Sequence, residues 1–228
     1  LCVTLCDRNQ GIGANGIVLI EPSETADIKM RIFNRDGSEG MMAGNCIRCV
    51  GKYVYDNDIV KKDEIAVETA SGTKNLTLYN INGKVNSVTL PGEKIVNYPT
   101  AIGEETYNIT CLSVGNPHCV VFCDRVDNLW LKKLGPQFEN APIFPKRVNT
   151  EFIRVVNPTT IKMRVWERGN GETPACGTGA CAAVVAAVEN GYCQKGADIT
   201  VKLKGGDLIV NYTDEGITLT GDAKLVYT

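Results

Sequence analysis

The sequence predicts an α+β fold made of two pseudo-symmetric halves, and three observations carry that expectation. Most of the 228 residues fall into short β-branched stretches punctuated by Gly, Asn and Pro. Two segments break that rhythm with a helical pattern, 45–55 (NCIRCVGKYVY) and 178–190 (TGACAAVVAAVEN). The tetrapeptide IKMR precedes each of them, at 28–31 and again at 161–164. In both halves a strand leads to a loop containing Gly and Glu, then to a small residue followed by Gly and a polar residue, then to a helix. This order indicates an internal duplication, whose period of about 133 residues is too long for a solenoid.

In chain order, GIGANG (11–16) matches G-x-G-x-x-G literally, but it is followed by a strand ending in Pro rather than by a helix. Turn glycines are therefore expected here instead of a dinucleotide site. Strands are expected at GIVLIE (16–21) and IKMRIFN (28–34), and then, after the first helix, at EIAVETASG (64–72), KNLTLYN (74–80) and KVNSVTLPG (84–92). The Pro- and Gly-containing stretch 90–100 (LPGEKIVNYPT) is expected to be a linker between the halves. Beyond it lie HCVVF (118–122), IKMRVWERG (161–169), ADITVKL (197–203), DLIVNYT (207–213) and ITLTG (217–221). The second helix is Ala-rich and apolar nearly all round, so it is expected to be deeply buried, with Gly191 stopping it.

A net charge of −2, a pI of about 5.6 and the lack of any Lys/Arg run argue against nucleic acid and anionic membranes as partners, which leaves a small molecule as the better expectation. Ten cysteines without a regular spacing in a chain of this length fit reduced thiols and a cytoplasmic location. The C-x-x-C at 46–49 has no second pair to complete a zinc site, and His118 is the single histidine, so no metal is expected and most thiols should pack as small apolar side chains. His118 itself follows a Gly-Asn-Pro turn at the start of a strand, where it is either a structural histidine or a cleft residue.

The two turns EGMMAGNC (39–46) and ETPACGTG (172–179) align residue by residue, yet one carries Cys176 and the other Ala43. Cys176 stands just before a helix, whose N-terminal N–H groups favour a thiolate and also hold a carboxylate. A thiolate beside a carboxylate-binding turn is a base aimed at an amino acid's α-carbon. Inverting that centre needs a second proton donor on the other face, and two mirrored halves, expected to face each other, each offer a helix N-terminus to stabilise the developing enolate.

These residues resemble the diaminopimelate epimerase family, within the wider group of cofactor-independent racemases that includes proline and histidine racemases. The resemblance rests on CDRNQGIGANG (6–16), MRIFNRDGSEGMMAGNCIRC (30–49), SVGNPHCVVF (113–122), RVNTEF (147–152) and WERGNGETPACGTGACA (166–182), which span nearly the whole chain in the family's order. It implies two domains, 1–90 plus 222–228 and 91–221, each a β-barrel-like sheet around a central helix. It also implies interconversion of LL- and meso-diaminopimelate by a thiolate and a thiol, without cofactor. Carried over, Cys176 matches one catalytic cysteine and Ala43 the position of the other, with Glu167 and His118 beside them. Asn34, Asn116, Asn149, Glu167 and Arg168 match the groups that hold the distal amino-acid end of the substrate, and Gly44, Asn45, Gly177 and Thr178 match the cradles for the reacting carboxylate. A homodimer is suggested by the family analogy alone.

The sequence departs from the family in three ways. The family's N-terminal strand and G-x-G-N-D-F turn are absent, which reads as a truncated chain; Asn15 and Cys46 replace the usual Asp and Gly; and Ala43 removes a thiol. Cys46 is a poor substitute, because three residues of helix displace it by roughly 4.5 Å. The chain is therefore expected to bind substrate without completing epimerisation, an engineered Cys-to-Ala change accounting for this best and a natural inactive paralogue being the alternative. Two rival functions are a related racemase for histidine or a bis-amino acid such as lanthionine, and a non-catalytic amino-acid-binding protein.

Overall fold

The computed structural model describes residues 1–41, 43–79, 84–89 and 94–223. Their contacts divide the chain into two units, Leu1–Thr89 with Leu219–Thr228 and Leu90–Thr218.

The first unit opens with a short helix α1 (Cys2–Cys6), followed by β1 (Gly16–Glu21), β2 (Ile28–Asn34), the two-residue β3 (Glu39–Gly40), helix α2 (Gly44–Asp56), β4 (Glu64–Glu68), β5 (Lys74–Tyr79) and β6 (Lys84–Thr89). Its strands lie in the order β1-β2-β4-β5-β6, with β3 paired on β2. β1 is antiparallel and β4 parallel to β2. Alternate residues Ile28, Met30 and Ile32 of β2 point into a core shared with Ile47, Val50 and Val54 of α2 and with Ile65, Val67 and Leu76. That core joins a period-2 face to a helical stripe. The glycines of 11–16 serve close packing: a Cβ on Gly16 would sit 2.4 Å from the Phe33 carbonyl oxygen, and one on Gly11 2.2 Å from that of Thr4.

The second unit contains β7 (Lys94–Ile102), β8 (Glu105–Ser113), β9 (Pro117–Phe122), helix α3 (Leu131–Glu139), β10 (Asn149–Asn157), β11 (Thr160–Glu167), β12 (Gly171–Thr173), helix α4 (Gly177–Glu189), β13 (Asp198–Leu203) and β14 (Gly206–Tyr212); β15 (Ile217–Asp222) carries the chain back towards the first unit. The strand order is β14-β13-β11-β10-β9-β8-β7, with β12 on β11. Helix α4 touches β8, β9, β10, β11, β13 and β14, and every residue from Gly177 to Ala187 is buried, as its all-round apolar sequence requires.

The pairing pattern repeats between the units. β10 is antiparallel and β13 parallel to β11, as β1 and β4 are to β2, and β12 folds back on β11 as β3 does on β2. Even the ion pairs match: Arg31 Nε donates to Glu39 Oε1 at 2.7 Å, and Arg164 Nε to Glu172 Oε1 at 2.9 Å.

Several expectations need correction. The stretch expected as a linker is strand from Lys94 onward, an edge strand that accommodates Pro99 and a bulge between Ile95 and Tyr98; its first residues, 90–93, and the terminal 224–228 lie outside the described residues. Among the described residues, α1 and α3 are α-helices beyond the two expected. In α3 the Gly135-Pro136 pair reads as a turn, but Gly135 is where the Trp166 ring packs, 2.2 Å from where a Cβ would lie, and the helix continues through Pro136. Strands β8 and β10 were also not expected as such, and the strands expected to run through 69–72 and 168–169 stop at Glu68 and Glu167.

Candidate active site

Cys176 is the N-cap residue of α4, with φ −133° and ψ 116°, and its Sγ accepts a hydrogen bond from the Gly179 N–H at 3.3 Å. Thr178 Oγ1 lies 3.6 Å from the same sulfur. Gly177 and Thr178 form the first buried positions of the helix, where backbone N–H groups have no intrahelical acceptor.

Folding adds opposing influences to the helix N-terminus that favours a thiolate. Burial, followed by the nearby carboxylates of Glu167 and Glu151, holds the Cys176 thiol well above its ordinary pKa, and the opposing hydrogen bonds from Thr178 and Gly179 do not compensate. Sequence reasoning counted the helix N-terminus and could not see the two carboxylates that folding brings to it. Glu167, at the end of β11, is also raised, by burial above all; Thr173 Oγ1 donates to its Oε1, and contacts with His118 and Cys176 pull the other way. Cys176 and Glu167 are thus both shifted towards the neutral form.

His118 is buried, with 1% of its surface exposed. Its Nδ1 is 2.8 Å from Glu151 Oε1 and its Nε2 3.0 Å from Asn116 Oδ1. Asn116 Nδ2 then donates to Thr178 Oγ1 at 3.3 Å. The parallel pairing of β9 with β10 sets His118 opposite Asn149, which places Glu151, two residues on, on the same face. Sequence reasoning did not single out Glu151, because nothing local distinguishes it from any other strand glutamate.

Asn149 holds the scaffold together: its Nδ2 donates to the Pro117 carbonyl at 3.2 Å, and its Oδ1 accepts from the Arg168 backbone N–H at 2.9 Å. The Arg168 guanidinium donates to the Lys146 carbonyl at 3.0 Å. The loop after β11 is further anchored by buried Glu139 of α3, whose carboxylate accepts from the Gly169 N–H at 2.9 Å, Trp166 Nε1 at 2.7 Å and Arg147 at 3.0 Å. So Asn116, His118, Asn149, Glu167, Arg168, Cys176, Gly177 and Thr178 lie in one unit around the α4 N-terminus.

In the first unit, Ala43 is the N-cap of α2 at φ −143° and ψ 111°, with no side-chain cap. Gly44 and Asn45 follow, tied by Arg48, whose Nη1 donates to the Gly44 carbonyl at 3.2 Å and whose Nη2 donates to Asn45 Oδ1 at 2.9 Å. Asn34 closes β2, its Nδ2 donating to Ser38 Oγ at 3.1 Å. None of the ten cysteines is in a disulfide, and no described group of His, Cys, Asp or Glu is placed to hold a metal. Among the described residues no helix is long and apolar enough to cross a membrane.

The fold is that of a class of racemases and related enzymes. A hydroxyproline epimerase from Agrobacterium vitis superposes with a TM-score of 0.75 at 15% identity, over 96% of this chain and 76% of that one. A phenazine biosynthesis protein of the PhzF family from Bacillus anthracis gives 0.67 at 18% identity, over 92% and 82%. The sequence narrows this further. The diaminopimelate epimerase family profile matches residues 2–93 and 110–226. The diaminopimelate epimerase of Desulfovibrio desulfuricans is 47% identical over 248 residues, 98% of this chain and 86% of that one. That of Acetivibrio thermocellus is 48% identical over 239 residues, covering 97% and 85%. The chain belongs to the diaminopimelate epimerase family.

Proposed function

We propose that the substrate of this protein is diaminopimelate and that its site is built for interconversion of the LL and meso forms by proton transfer at one α-carbon, a step of lysine and peptidoglycan-precursor synthesis of which this chain retains the Cys176 half. The observation that carries the reading is the Cys176 turn: a thiol at the cap of a buried helix, with free N–H groups beside it and Glu167 in contact. The N–H groups of Gly177 and Thr178 receive the reacting carboxylate, so charge that develops as the α-proton leaves meets donors already in place. Glu167 takes the Cys176 proton when the thiol must act as base and returns it when it must act as acid. Arg168, freed from the Lys146 carbonyl, pairs with the distal carboxylate in the bidentate geometry a guanidinium favours. Glu167, Asn34, Asn116 and Asn149 orient the distal amino-acid end, Gly44 and Asn45 form the second carboxylate cradle, and His118 assists from behind Asn116. Cytoplasmic residence and a homodimer belong to the same proposal by family analogy.

With Ala43 in place of a second thiol, the unaltered chain exchanges the α-proton of at most one stereoisomer and does not epimerise. Incubation of each diaminopimelate isomer in deuterated water, followed by proton NMR and chiral chromatography, tests this. Exchange without inversion is expected, and inversion at a rate comparable to exchange would overturn the assignment of position 43. Ala43 also favours a second reading, a binding protein that retains the α4 turn; calorimetric binding of diaminopimelate with no exchange in either isomer would support it, and tight binding of histidine or lanthionine alone would move the substrate assignment.

A further inference from the structure

Glu151 has no role in the reading above, yet it is the most completely enclosed carboxylate of the site, with its side chain 0% exposed. Its surroundings are built to receive it. A Cβ on Gly179 would lie 2.7 Å from Glu151 Oε1 and 3.2 Å from Cys176 Sγ, so glycine at this helical position is what lets the carboxylate and the sulfur share the α4 N-terminus. Oε2 of Glu151 has no hydrogen-bond partner among the described residues. All of its bonding is therefore directed through Oε1 to His118 Nδ1 at 2.8 Å.

From there the contacts form an unbroken line: His118 Nε2 to Asn116 Oδ1 at 3.0 Å, Asn116 Nδ2 to Thr178 Oγ1 at 3.3 Å, and Thr178 Oγ1 to Cys176 Sγ at 3.6 Å. The directions follow from the donor inventory. A carboxylate only accepts, so Nδ1 carries a hydrogen. Asn116 offers its amide hydrogens to Thr178 and its oxygen to the ring, so Nε2 carries a hydrogen as well. Thr178, having accepted from Asn116, is free to donate its hydroxyl hydrogen to sulfur.

We infer that Glu151 is a positioning residue: it holds His118 with both ring nitrogens hydrogenated, and this orients Asn116 and Thr178 so that a hydroxyl hydrogen points at Cys176 Sγ. The line supplies a preorganised donor to the sulfur at the moment it loses its proton to Glu167. The effect on turnover rests on the proposed epimerase reading; the state of the ring does not.

His118 is the single histidine in the chain, so its ring nitrogens give two unambiguous 15N NMR signals. In the unaltered protein near neutral pH the two shifts are expected to lie close together, as in an imidazolium, and in E151Q, whose amide keeps the shape, to split widely as in a neutral ring. α-Deuterium exchange into diaminopimelate in E151Q should fall roughly 10- to 100-fold in kcat, the scale of one charge-assisted hydrogen bond, with KM little changed. A widely split pair in the unaltered protein overturns the inference even if E151Q fails to fold, and so does an E151Q spectrum identical to it. If the ring behaves as expected and no exchange occurs in either protein, the epimerase reading fails and the assignment of His118 stands.

Discussion

Helices α2 and α4 begin on nearly the same backbone and end in the same way, yet they live in different surroundings. Their N-caps, Ala43 and Cys176, differ by about 10° in φ and less in ψ. Each helix starts with Gly, runs 13 residues and closes on an Asn whose Nδ2 donates at 2.8 Å to the carbonyl four residues back. Above this shared frame, α4 is wrapped by strands that include β8 and β9, and it is apolar throughout. α2 keeps one face open, with Tyr53 half exposed and an apolar groove of about 900 Å³ lined by Val18, Ile20, Cys46, Cys49, Tyr53 and Ile59. The third residue of each helix shows the consequence: Cys46 has room for a side chain, and Gly179 does not, because Glu151 occupies the space. Duplication preserved the turn, and burial made one copy chemically distinctive.

Five substitutions would break or sharpen this comparison. The largest effect should come from Ala43→Cys, which restores a thiol to a cap that already has the right backbone; epimerisation should rise by roughly 100-fold or more, the scale of one acid–base group. A chiral product assay that finds no inversion in this variant would argue against equivalent roles for the two turns. Next, E167Q should cost roughly 100-fold in α-proton exchange, while raising thermal stability at neutral pH. The sign follows from the direction of the shift: a carboxyl whose pKa is raised by folding favours the fold fully below its unfolded value and loses that contribution as pH rises through its folded value. The melting-temperature advantage of E167Q should therefore vanish below about pH 4. An equal advantage at all pH values would point to packing instead.

Gly179→Ala should destabilise the protein by roughly 1–3 kcal/mol in urea titrations, since the new methyl meets Glu151, whereas Cys46→Ala at the matching position of α2 should be nearly neutral. Equal costs would mean that the close approach at Gly179 is relaxed in solution. A smaller effect than that of Gly179→Ala is expected from Ala43→Ser, which gives α2 the side-chain cap that Cys176 gives α4, with a gain of about 0.5–1 kcal/mol in the same titrations.

Much of the site was legible because it is written in local patterns. The repeated IKMR, the aligned Glu-to-Gly turns and the helix starts depend on residues a few positions apart, and the structure places both helices within one residue of where the sequence put them. The missed elements have equally specific causes. Gly135-Pro136 interrupts any helical pattern in α3, and the Pro- and Gly-containing stretch 90–100 looks like a linker until β7 is seen at the sheet edge.

By itself, the sequence determined the duplication, the pairing of Ala43 with Cys176 and the family to which the chain belongs, because covalent neighbours fix turn chemistry and helix capping. Only the tertiary structure decided the electrostatics of the thiol and the place of the histidine. Glu151 reaches His118 through the register of two parallel strands, and it reaches Cys176 through a glycine that leaves it room. Those approaches join residues far apart in the chain. The charges that set the resting state of Cys176 are therefore a property of packing and burial, which no local reading of its helix could supply.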